Sequence, residues 1–151
     1  MNFIKQKHKH GCGVACIAMA TEKQYDEIVT LIPPTINDFE KSGITPECVQ
    51  SILNELNYRN ELRYWTILHS QTKREDLRYS FADILIIQRG NHFVLSICDW
   101  VYDPNLSFTD SYSIFEINKT EIISVIGVWN RSLKSKARVA QAKKLWINAE
   151  K

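Results

Sequence analysis

Cys12 stands where thiol chemistry would place a nucleophile. It lies between Gly11 and Gly13, at the junction of the basic stretch Lys5-Gln6-Lys7-His8-Lys9-His10 and an apolar run that ends at Thr21. A helix opening near Cys12 puts the sulfur in its first turn, where unsatisfied amides and the positive end of the helix dipole favour a thiolate. The two glycines leave room for a substrate to reach it. Such a nucleophile needs a base and a group to orient that base, and in cysteine hydrolases both come later in the chain and close up in space. His92, just after the Gly90-Asn91 turn, is the candidate base, and Asp103 at the end of the following strand is the candidate orienting carboxylate. If residues 92–98 and 100–103 pair as a hairpin, the two side chains fall at the same end of it. Asp99 is the rival, but a turn directly after the His92 strand would carry it to the far end.

The elements that must hold these residues can be read from pattern. Residues 12–21, apolar and small on every side, read as a buried helix. A second short helix is expected over 23–31, stopped by Pro33-Pro34, because a residue before proline avoids the helical region. Thr45-Pro46-Glu47 is a helix start: an N-cap residue, a proline suited to the first position and an acid at the positive end. Val49, Ile52, Leu53 and Leu56 follow at helical spacing, to about Asn57. Thereafter the texture is that of strands: 62–68, then 83–87 as a continuous apolar run buried on both faces, then 92–98. A short polar helix is expected around 73–79, Asp103-Pro104-Asn105 reads as a turn, and one or two short elements should lie between 112 and 129. Helices first and a mostly antiparallel sheet afterwards make an α+β fold, a single domain over residues 1–151.

Composition narrows the class. With 151 residues, 44% hydrophobic and 24% charged, the chain fits neither a collagen, a coiled coil nor a disordered segment. Four cysteines at this length are too few for a disulfide scaffold. No apolar stretch reaches the roughly 18–20 residues that a membrane span needs. The N-terminus has neither an apolar core nor a small-residue cleavage site, so the expected location is cytoplasmic, or outside the cell by release without a classical signal peptide. The net charge of +2 divides unevenly: residues 131–151 hold seven Lys/Arg and one acid, residues 1–130 twelve and sixteen. That basic end has Leu133, Val139, Ala140, Leu145 and Trp146 among its charges and can form an amphipathic helix against the acidic body. An acidic partner is the alternative; nucleic acid is disfavoured because no recognition motif accompanies the charge.

Taken in order, Gln6-x5-Cys12-Gly-Val-Ala-Cys16, Ser42-Gly43-Ile44-Thr45, Asn91-His92-Phe93-Val94-Leu95 and Tyr102-Asp103-Pro104 resemble the papain-like cysteine peptidases that process double-glycine leader peptides of bacteriocins. The blocks cover the first two-thirds of the chain. The resemblance implies a papain-like fold and a peptidase that cleaves a peptide or isopeptide bond. It implies Cys12 as nucleophile, His92 as general base, Asp103 as the carboxylate that orients it, and the Gln6 amide as an oxyanion-hole donor. It calls for no cofactor and no metal, and for a peptide or protein as substrate. Two departures stand out: Gly11 replaces the acidic residue usual before the nucleophile, and no transporter region accompanies the domain. An acyltransferase, transglutaminase-like enzyme or deamidase would use the same triad, and a non-catalytic peptide-binding module would use the same cleft.

Cys16, one helical turn beyond Cys12, reads as core, and Cys48 and Cys98 as packing on a helix face and a strand. His8, His10, Cys12 and Cys16 have the ligand types of a zinc site, but Lys5, Lys7 and Lys9 would repel the cation. An exposed loop beside the cleft is the simpler reading of the two histidines.

Overall fold

A computed structural model describes residues 2–34, 36, 39–64, 81–106, 110–118 and 121–149, with the backbone alone for 142–149. The architecture is α+β, with the helices mostly first and a six-stranded antiparallel sheet after them. Helix α1 (Cys12–Thr21) is buried at all ten positions. A helix with no solvated face has to be the centre of a core, and its small residues allow this by letting neighbours approach from every side. It lies against the sheet, with α2 (Tyr25–Val29), the single turn α3 (Phe39–Ser42) and α4 (Pro46–Glu55) around it. The α4 start forms as its residues dictate: Pro46 is at the first position and the Thr45 hydroxyl accepts the Cys48 N–H at 3.2 Å.

The sheet runs β1–β6–β2–β3–β4–β5, with β1 at Asn60–Tyr64, β2 at Ile84–Arg89, β3 at His92–Ile97, β4 at Trp100–Tyr102, β5 at Tyr112–Ser113 and β6 at Ile122–Val128. A 3-10 turn, Ile114–Glu116, joins the last two. Strand β2 is buried on both faces: Ile84 and Ile86 meet the helices, Leu85 and Ile87 a second cluster with Val94, Val101, Ile114 and Val125. Two tight hairpins frame β3. Gly90, at φ +56°, takes the first position of the β2–β3 turn, a conformation that side chains other than glycine resist. The β3–β4 turn is Cys98-Asp99, both at positive φ, so Cys98 is a turn residue rather than the end of a strand.

Three expectations need adjustment. The second helix is only five residues long. The region 112–129 holds, besides short pieces, a seven-residue strand that enters the middle of the sheet between β1 and β2. The strand expected over 62–68 begins at Asn60, and its continuation past Tyr64 lies outside the described residues, as does the helix expected around 73–79.

The basic end forms α5 (Arg131–Ala149). Its first half belongs to the core: Leu133 is fully buried and Ala137 nearly so, and Asn130 caps it by accepting the Leu133 N–H while donating to the Ala20 carbonyl. Lys136 pairs with Glu22, and the Gln141 amide donates to the Tyr102 hydroxyl. Among the described residues, no helix is long and apolar enough to cross a membrane. Because Leu133 is enclosed, Leu133→Ala should lower the unfolding free energy by about 2–5 kcal/mol, measured by urea denaturation. A loss below about 0.5 kcal/mol would show α5 to be an appendage.

Candidate functional site

The site is assembled where the N-terminus of α1 meets the first residues of β3. Gly11 is the N-cap of α1, with no side-chain cap, and no acid stands in the first turn. The positive end of the helix is therefore left to Cys12, whose N–H has no acceptor within the helix. The thiol is buried, at 5% exposure, and its Sγ accepts the Phe93 N–H at 3.3 Å. The His92 side chain lies beside it and lowers its pKa by hydrogen bonding and charge. On the other side of the imidazole, His92 Nε2 lies 2.6 Å from Asp103 Oδ1, so the nitrogen left for the thiol is Nδ1. The Asn105 N–H donates to the same carboxylate oxygen, holding Asp103 from the turn that follows β4. Asp99 lies in the turn at the opposite end of β3.

Each of these groups is displaced in the direction that charge separation requires. Burial is the largest single influence on Cys12 and raises its pKa. The His92 hydrogen bond, the Phe93 N–H, the His92 charge and the Gly13 N–H together outweigh it and bring the thiol below its ordinary 9.0. His92 is raised from 6.5 to about 9, first by Asp103 and then by Cys12, against the opposing effect of burial. For Asp103, burial pushes upward, but His92 and the Asn105 N–H win and its pKa is lowered. The three stand in a line in which each shift favours the ionised form of the group. Cys16 behaves oppositely: wholly enclosed, it is pushed well above its ordinary value by burial, with the charges of Cys12 and Asp103 adding. Cys48 is raised by burial too, while the Cys98 thiol points at the Lys134 carbonyl, 3.6 Å away. All four cysteines are free.

Gln6 lies beneath the strap that leads into α1. Its Nε2 donates to the carbonyls of His8 (3.0 Å) and Lys9 (2.8 Å), its backbone N–H to Pro104, and its Oε1 is buried without a partner among the described residues. Both amide hydrogens are thus spent on the strap, and to reach a substrate oxygen one of them must be released. The strap is tied down on its outer side as well, through Lys7–Asp26 at 2.9 Å, His8 Nε2–Glu40 at 3.3 Å and His8 Nδ1–Tyr25 Oη at 2.9 Å. His8, His10, Cys12 and Cys16 do not assemble: among the described residues no three His, Cys, Asp or Glu side chains form a metal-ligand group.

Tyr25 explains the glycine before the nucleophile. A Cβ at Gly11 would run into the Tyr25 hydroxyl and press on the His8 carbonyl, so a larger residue at position 11 requires Tyr25 to move. Nothing in local sequence pairs the two positions, and Tyr25 is a site-supporting residue that sequence reasoning misses. Beside Cys12 opens a cleft of about 320 Å³, walled by Ile44 and Pro46 on one side and by Gln88, Asn91 and Phe93 of the β2–β3 hairpin on the other.

Comparison with protein-family models, with curated proteins and with solved structures finds no match for this chain.

Two outcomes follow from this geometry. Gly11→Ala should slow iodoacetamide alkylation of Cys12, and Tyr25→Phe in the same chain should restore much of the rate, since the next Tyr25 atom, Cζ, is 3.2 Å from the new Cβ. Equal effects of Gly11→Ala in both backgrounds would show that the clash is not the cause. Second, wild-type Cys12 should be alkylated at pH 7 ahead of Cys16, Cys48 and Cys98, by peptide mass mapping. His92→Ala should slow it about tenfold for each unit by which the thiol pKa rises.

Proposed function

We propose that this chain is a thiol peptidase of papain-like fold that hydrolyses a peptide or isopeptide bond. The observation that carries the reading is one junction: a helix N-terminus holding Cys12, its sulfur bonded by the N–H of Phe93 next to His92, and His92 Nε2 2.6 Å from Asp103. The ordered sequence blocks that resemble the leader-processing peptidases point the same way.

In this mechanism the Cys12 thiolate attacks the substrate carbonyl carbon, forming a C–S bond as the carbonyl electrons move onto oxygen. The oxyanion falls beside the first turn of α1, where the Cys12 N–H supplies the donor; Gln6 joins if substrate draws one amide hydrogen off the His8 or Lys9 carbonyl. His92, protonated before attack, gives its proton from Nδ1 to the departing amine as the C–N bond breaks. The neutral imidazole then takes a proton from water, whose oxygen attacks the thioester and releases the acid and the Cys12 thiolate. Asp103 stays ionised throughout and fixes which nitrogen faces the sulfur.

A mass-spectrometric screen of a denatured, proteome-derived peptide library tests this. Wild type should create new termini at a consistent motif, with one oxygen-18 entering each new carboxylate in labelled water. Cys12→Ala should abolish cleavage and Asp103→Asn should reduce it about 10²–10⁴-fold. Since acylation needs Cys12 ionised and His92 protonated, the rate should rise through the lowered thiol pKa and fall again as His92 deprotonates near pH 9. Cleavage that survives Cys12→Ala, or none at all from a protein whose Cys12 alkylates readily, would overturn the reading. Joined peptides without label in the product would point to acyl transfer.

A further inference from the structure

Ser124 is a hydroxyl in an otherwise apolar strand, Ile122-Ile123-Ser124-Val125-Ile126, and it is fully buried. A buried hydroxyl is costly unless bonded, and this one donates to Oε1 of Gln88 at 2.8 Å. In this arrangement, with the amide oxygen of Gln88 turned to Ser124, the NH2 group is what remains. Among the described residues that Nε2 has no protein acceptor, although Gln88 lines the cleft together with Cys12.

The backbone supports the same aim. Gln88 pairs directly with Phe93, whose N–H holds the Cys12 sulfur, and it shares the helix-facing side of β2 with Ile84 and Ile86. Between Gln88 and Arg89 the register against β6 slips, two residues of β6 passing one of β2. Such bulges bend a strand locally and re-aim its side chains. The other polar side chains of the cleft are His10, Ser42 and Thr45, with Asn91 on the same hairpin as Gln88, and the described lining holds no carboxylate, lysine or arginine. A donor pair held in place by a buried hydroxyl, in a cleft whose described lining holds no carboxylate, suits a ligand that brings a carbonyl acceptor.

We propose that Gln88, oriented by Ser124, is a specificity-determining residue that selects a substrate side chain with a carbonyl acceptor, Gln or Glu in size, at a position adjoining the scissile bond. The proposal rests on the peptidase reading of Cys12 and names the substrate class for it. It also separates this cleft from one that admits only glycine next to the cleaved bond, since a side chain has both the space and a partner there.

A set of tripeptidyl acyloxymethyl ketones, varied separately at the two residues before the warhead, tests it through the rate of Cys12 labelling by intact-mass spectrometry. With wild type, Gln or Glu at one of the two positions should label roughly tenfold faster than Leu or Lys, the worth of about one hydrogen bond. Gln88→Leu should bring the four within about twofold, and Ser124→Ala should narrow the preference by freeing the amide to turn. Gln88→Glu, which exchanges donor for acceptor in the same shape, should shift the preference to Lys. Thermal unfolding and iodoacetamide labelling of each variant confirm an intact site. Fast labelling of wild type with Leu or Lys preferred, or a Gln/Glu preference that survives Gln88→Leu, overturns the role of Gln88 and leaves the peptidase reading in place. Failure of every peptide reagent on protein whose Cys12 still takes iodoacetamide overturns the peptidase reading, and this proposal with it.

Discussion

The bond from the Phe93 N–H to the Cys12 sulfur joins two parts of the chain 81 residues apart, and the site depends on it. It ties the first turn of α1 to the beginning of β3, so the helix that carries the sulfur and the strand that carries the imidazole share one origin. The rest of the fold makes that junction rigid. α1 is enclosed at every position, β2 and β6 anchor β3 from one side, and β4 returns from a two-residue turn to bring Asp103 back alongside His92. None of the three polar side chains is placed by a long loop. Their separations therefore inherit the stiffness of packed elements, which is what a proton-transfer geometry at hydrogen-bond distance requires.

The same junction is where the fold gives up local stability. A helix start of ordinary design carries a Ser, Thr, Asp or Asn cap and an acid in its first turn, as α4 does with Thr45 and Glu47. α1 has Gly11 and no acid. A capping carboxylate would neutralise the positive end and raise the pKa of a thiol beside it, so its absence serves the anion on sulfur. The strap before the helix supplies the order a cap would have given, by other means. Gln6 holds the His8 and Lys9 carbonyls from beneath, and Tyr25, Asp26 and Glu40 hold His8 and Lys7 from above.

Much of this was legible in the residues, and what was not has physical reasons. α1, the capped start of α4, the double-buried β2 and the Gly90 turn rest on local rules: continuous apolarity, an N-cap next to a proline, a strand-length run, a glycine at positive φ. The hairpin that puts His92 and Asp103 together is also local, because a two-residue turn leaves the chain one place to go. β6 is expected from the sequence only as a short element. Its seven residues show strand character, but insertion between β1 and β2 is a non-local pairing that no window of sequence contains. Tyr25 beside Gly11 and Gln88 beside Ser124 are contacts of the same non-local kind. Ser124 did carry a signal, a lone hydroxyl in a β-branched run, but its partner is 36 residues away. Gln6 shows the reverse error of scale: its spacing from Cys12 is visible, whereas the direction of its amide depends on carbonyls whose positions only the folded strap determines.

The charge asymmetry finds a place in this scheme. The basic α5 meets the body at the C-terminal end of α1: Asn130 bonds the Ala20 carbonyl, Lys136 pairs with Glu22, and Leu133 enters the core. That end of α1 is the negative pole of its dipole, where a cation is favoured. The basic segment thus docks at one pole of α1 through Lys136, while the opposite pole is left to Cys12. Anions packed at the start of α1 would oppose the thiolate. With the other pole of α1 occupied by this docking, the positive pole faces Cys12 uncapped, and it works with His92 and the Phe93 N–H against the burial that would otherwise keep the thiol neutral.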